Sequence, residues 1–170
     1  MNHPCALLLL AVAALLVAAP RGTAEVVRPA PSVAFPATGG KPRTLASFKG
    51  QPLILLLADS PSRGSFKAQL KELEGSFDRL AIRSTVVAAG FKAGDPGTVR
   101  TNVPLVLLPE GAAACAAFQL KGEFAIVLIG PDGNIDYQTG KVLNMNRILE
   151  VMQNSYEIQK AARRGGAGGR

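Results

Sequence analysis

The chain of 170 residues has no tryptophan, two cysteines and a single histidine. That histidine, His3, and one cysteine, Cys5, both precede an unbroken, uncharged apolar run from Ala6 to Ala19. Its fourteen residues are too few to cross a bilayer as a helix and suit the apolar region of a signal peptide. Small residues at Gly22 and Ala24 offer a cleavage site before Glu25. The segment ahead of the run has no Lys or Arg, so an uncleaved anchor is the alternative. Cys5 precedes the run, whereas a lipid-modified cysteine would follow it. The expected organisation is a signal peptide at 1–24, one domain at 25–159 and a disordered basic tail at 160–170.

Removal of 1–24 would take away the only histidine and leave Cys115 as the one thiol. What remains has no Ser-His-Asp or Cys-His nucleophile, no zinc site of ordinary composition and no CxxC redox pair. No HExxH, GxSxG, phosphate-loop or calcium-loop pattern is present. Neither a cofactor nor a metal is expected. Asp132 and Asp136 flank a turn and read as turn residues rather than ligands. The net charge is +7, and Lys160, Arg163, Arg164 and Arg170 supply much of it in a Gly-rich end. Such an end reads as solvated, with polyanion binding the alternative. No nucleic-acid partner is expected of an exported protein.

Pattern along the chain then predicts the elements. Pro and Gly are dense from Glu25 to Thr44, with a turn signal at Gly39-Gly40-Lys41-Pro42. Leu53 to Leu57 is a continuous apolar stretch, suited to a central strand covered on both faces. Ser60-Pro61 reads as a helix N-cap followed by Pro in the first turn. Phe66, Leu70, Leu73, Phe77 and Leu80 line one helical face, and Gly75 weakens or splits that helix. A strand from Thr85 to Ala89 ends at Gly90, and Phe91 to Val103 reads as a loop. Pro104–Leu108 is a short strand, followed by an Ala-rich helix from Pro109-Glu110 to about Phe118. Phe124–Ile129 and Ile135–Gln138 form a hairpin about Pro131-Asp132-Gly133-Asn134. Asn144 caps a last helix carrying Met145, Ile148, Leu149 and Met152 at helical spacing. The fold class is α/β, a single domain with a mixed sheet flanked by helices.

This order resembles the thioredoxin-like superfamily, in particular its exported peroxiredoxin-type branch. The likeness rests on PSVAFPATGGKPRTLASFKGQPLILLLADS, PLVLLPEGAAACAAFQL and FAIVLIGPDGNIDYQTG. More narrowly, LILLLADSPSRGSFKAQLKEL followed by IVLIGPDGNI is similar to a thioredoxin-like domain of unknown function. That domain occurs in bacterial envelope proteins and in vertebrate extracellular sushi-repeat and coiled-coil-domain proteins. The resemblance implies the fold and an extracytoplasmic setting, periplasmic or extracellular. Active relatives hold a redox cysteine just after the first core strand, where a helix start stabilises thiolate. This chain reads Asp59-Ser60-Pro61-Ser62-Arg63-Gly64-Ser65 there. Thioredoxins also place a cis-proline before the substrate-side strand; the matching place here is Glu123-Phe124.

Two sets of candidate residues follow. Ser60, Ser62, Arg63 and Ser65 form a binding candidate, in which a helix start and a guanidinium can cradle an anion or a partner's carboxylate. Its alternative is a capped helix with a solvated Arg. Cys115, among small apolar residues, reads as core filler and otherwise as a catalytic thiol. The expectation is a non-catalytic exported module that binds a protein or an envelope component, with no transmembrane span after cleavage. The alternative is a divergent peroxiredoxin-like oxidoreductase working through Cys115.

Overall fold

In the computed structural model, which describes residues 28–166, the chain begins with strand β1 (Arg28–Pro29) and a hairpin of β2 (Ala34–Thr38) and β3 (Lys41–Thr44). Gly39 and Gly40 make its two-residue turn at φ +59° and +74°, a left-handed pair that glycine adopts without strain. A 3-10 turn at Leu45–Phe48 leads into β4 (Leu53–Ala58). Helices α1 (Gly64–Glu74) and α2 (Phe77–Ala81) follow, then β5 (Val86–Phe91) and β6 (Leu105–Leu107). Helix α3 (Gly111–Ala117), the hairpin β7 (Phe124–Ile129) and β8 (Asn134–Thr139), and α4 (Met145–Gly166) complete the order.

Six strands form one sheet in the order β1-β8-β7-β4-β5-β6. β5 lies parallel to β4 and β6, while β7 is antiparallel to β4 and β8. Every residue of β4 is buried, as its unbroken apolar run requires of a central strand. Its side chains alternate between two cores. Ile54, Leu56 and Ala58 join Phe66, Leu73, Leu80 and Ile148 under α1, α2 and α4. Leu53, Leu55 and Leu57 join Phe35, Phe48, Cys115 and Phe118 under α3 and the first hairpin.

Several boundaries differ from the sequence reading, each for a local reason. Helix α1 begins at Gly64 with Arg63 at its N-cap, not at Pro61. Ser60 Oγ pairs with Ser62 Oγ at 2.8 Å instead of capping the helix, and Arg63 N–H closes a turn on Ser60 O at 3.2 Å. The predicted break at Gly75 is a full split between α1 and α2. Gly90 does not end β5, which continues to Phe91. It lies where α3 comes closest, since a Cβ there would stand 3.3 Å from Gly111 Cα.

The loop after β5 is tied to α1. Glu74 accepts from Thr101 Oγ1 at 2.7 Å and from Asn102 N–H at 2.9 Å. These bonds, the hydroxyl first, hold the Glu74 carboxyl below its usual pKa. Asn144 caps α4 as expected, accepting from Arg147 N–H at 2.9 Å. α4 then continues through 160–166, where the composition reads as a disordered tail. Residues 1–27, which include the expected signal peptide at 1–24, and residues 167–170 lie outside the described residues.

Candidate functional site

The segment after β4 meets two other chain segments at the same end of the sheet. Backbone bonds fix this junction: Asp59 N–H donates to Glu123 O at 2.9 Å, and Ala93 N–H donates to Asp59 O at 2.8 Å. Parallel pairing of β4 with β5 and antiparallel pairing with β7 bring Lys92 and Glu123 to either side of Asp59. Pro61 is buried against Gly94, whose φ of +90° is open to glycine; a Cβ there would lie 3.0 Å from Pro61 Cδ.

Side chains at this junction form a chain of four alternating charges. Lys92 Nζ lies 2.9 Å from Asp59 Oδ1, and Arg63 bridges Asp59 Oδ2 at 3.4 Å and Glu123 Oε1 at 3.0 Å. All four are partly exposed, so these pairs set geometry more than stability. Of the expected binding residues, Ser60 and Ser62 pair with each other, and Arg63 is partly exposed but ion-paired rather than free in solvent. Two carboxylates take one contact each at its terminal nitrogens, which leaves further guanidinium N–H groups on its exposed side for a ligand acceptor. The spacing of Asp59 and Arg63 at i and i+4 is visible in the sequence. Lys92 and Glu123 join them only through strand pairing, which no local pattern reports.

A cleft of about 680 Å³ opens beside the cluster. Ser65, Phe118, Lys121, Glu123, Gln138 and Thr139 line it, so it shares Ser65 and Glu123 with the junction. Its mixed polar and apolar wall suits an extended polypeptide better than a small apolar ligand.

Cys115 lies behind the junction rather than in it. It is 1% exposed, and its Sγ faces Ala58 O and Gly90 O, each at 3.8 Å. Burial pushes the Cys115 thiol pKa up; the charge of Lys92, brought near by strand pairing, opposes this only in part. A thiol held protonated and covered is a poor nucleophile. Among the described residues no group of three His, Cys, Asp or Glu side chains is placed to hold a metal. Asp132 acts in the β7–β8 turn, accepting from Asn134 N–H at 3.1 Å. No described helix is long and apolar enough to cross a membrane.

No protein-family model matches this chain, and no curated protein sequence matches it. The narrower likeness to the domain of unknown function is therefore without a matching family model. Solved structures do match. A secreted disulfide oxidoreductase of Mycobacterium tuberculosis, homologous to Escherichia coli DsbE, is 15% identical with a TM-score of 0.55, over 71% of this chain and 94% of its own. The exposed lipoprotein thioredoxin of Streptococcus pneumoniae is 14% identical with a TM-score of 0.54, over 73% and 99%. The peroxidoxin BcpB of Mycobacterium tuberculosis is 14% identical with a TM-score of 0.56, over 75% and 96%. At these identities the likeness is one of fold.

Proposed function

The chain has a thioredoxin-like fold, and we propose that it uses this fold as a non-catalytic, exported binding module. The observation that carries this reading is the junction after β4. Where redox relatives present cysteine, the chain presents the Lys92–Asp59–Arg63–Glu123 series, and its remaining thiol lies buried behind it. The binding surface in this reading is Ser60, Ser62, Arg63 and Ser65 with the adjoining cleft. Its ligand is a protein segment or envelope component, taken up in extended form. Export rests on the apolar run at Ala6–Ala19 and fits the secreted and surface-exposed proteins that share the fold.

The alternative, a peroxiredoxin-like reaction at Cys115, needs a reachable thiolate. Native thiol labelling separates the two readings. Cys115 should react slowly with a thiol reagent in the folded protein and fast once the protein is unfolded. Peroxide treatment should leave no trappable sulfenic acid. Cys115→Ala should lower stability by about 1–2 kcal/mol, as a modest cavity does. Rapid native labelling with a trapped sulfenic acid would replace the binding reading with the enzymatic one.

A further inference from the structure

We propose that the groove between α2 and α4 is a docking face for an anionic phospholipid surface. The groove encloses about 860 Å³ and includes Pro52, Ile82, Pro131, Met152 and Tyr156 in its wall. Ile82, just past the end of α2, is 84% exposed, and Tyr156 on α4 is 57% exposed. Nothing in either core gains from an isoleucine placed so far out, so its apolar surface remains available to a partner. Tyrosine has the matching character, an apolar ring with a polar tip, that suits a boundary between water and hydrocarbon.

Charge selects the occupant. Arg83 and Lys160 line the groove against one acid, Glu157, and Lys160 lies over the Tyr156 ring at 6.0 Å. Beyond Glu157 the sequence has no acid, while Lys160, Arg163, Arg164 and Arg170 follow in succession. An isoleucine tip and a tyrosine beside Arg83 and Lys160 fit acyl chains below and acidic headgroups around. A second copy of the chain would set two positive rims against each other. This face is separate from the junction after β4, so its fate does not decide the binding reading above.

Co-sedimentation of the full chain with vesicles tests the proposal. Vesicles of phosphatidylcholine mixed with phosphatidylglycerol should bind it more tightly than vesicles of phosphatidylcholine alone. Ile82→Asp should weaken binding to the anionic vesicles about tenfold or more, since it removes the apolar contact and adds a repelled charge. The apolar run Ala6–Ala19 is common to both proteins and cancels in the comparison. Because Ile82 lies outside the core, Ile82→Asp should melt with the parent protein. Binding to the anionic vesicles that is unchanged in Ile82→Asp would overturn the assignment. So would equal binding to both vesicles, or a concentration-dependent dimer that Ile82→Asp abolishes.

Discussion

Gly111→Ala is expected to destabilise the protein by about 3 kcal/mol or more, at the upper end of what overpacking costs. The cause is a backbone approach that admits no side chain. A Cβ on Gly111 would lie 2.4 Å from Phe91 N and 2.6 Å from Phe91 O, well inside van der Waals contact. Phe91 belongs to β5, so relief would require α3 to lift away from the sheet. That movement would open the core containing Cys115 and Phe118, which α3 covers. Melting should fall by roughly 10 °C, given about 2–4 °C per kcal/mol for a domain of this size. Gly122→Ala is the matched control, because no atom lies within 4 Å of its added Cβ. Equal melting of the two variants would contradict the close packing of α3 on β5.

The second large effect is expected at Gln69. Its side chain is fully buried within the apolar face of α1, an expensive place for an amide without partners. Both of its polar atoms are used: Nε2 donates to Leu143 O at 2.9 Å, and Oε1 accepts from Leu143 N–H at 2.8 Å. Gln69 thereby acts as a one-residue strand partner for the backbone entering α4. Gln69→Leu keeps the volume but leaves a buried N–H and a buried C=O unpaired. The expected cost is about 2–6 kcal/mol in denaturant unfolding, at roughly 1–3 kcal/mol for each of the two orphaned groups. The Leu143 amide should lose hydrogen-exchange protection in the same variant. Unchanged stability together with unchanged protection would show that the clamp contributes nothing.

The parts of the structure that rest on hydrophobic patterning were legible in the sequence. Leu53–Leu57 predicts a central strand because both faces of it must be covered, and both are. The Pro131–Asn134 turn and the Asn144 cap were readable because each is a local hydrogen-bonding habit of Asp, Asn and Gly. What escaped is what depends on distant partners. The Ser60-Pro61 pair carries a real cap signal, but the ion pairs with Lys92 and Glu123, which flank β5 and β7, and the burial of Pro61 accompany a turn there instead. Gly90 looks like a strand terminator, yet it is needed inside the strand because a helix from elsewhere presses on it. Gln69 lies among the buried residues of α1, and no local pattern reports the Leu143 backbone that pairs with it. The four-charge junction has the same origin, since Lys92 and Glu123 are assembled only by the sheet.

Turbidimetric reduction of insulin by dithiothreitol tests most directly the proposal that this thioredoxin-like fold works without redox chemistry. Disulfide exchange requires an attacking thiolate within reach of its target and a second thiol to resolve the mixed disulfide. This chain offers one thiol in its described residues, buried and held protonated. Insulin should precipitate no faster with the protein than with dithiothreitol alone. Clear acceleration by the folded protein, lost in Cys115→Ala, would contradict the account.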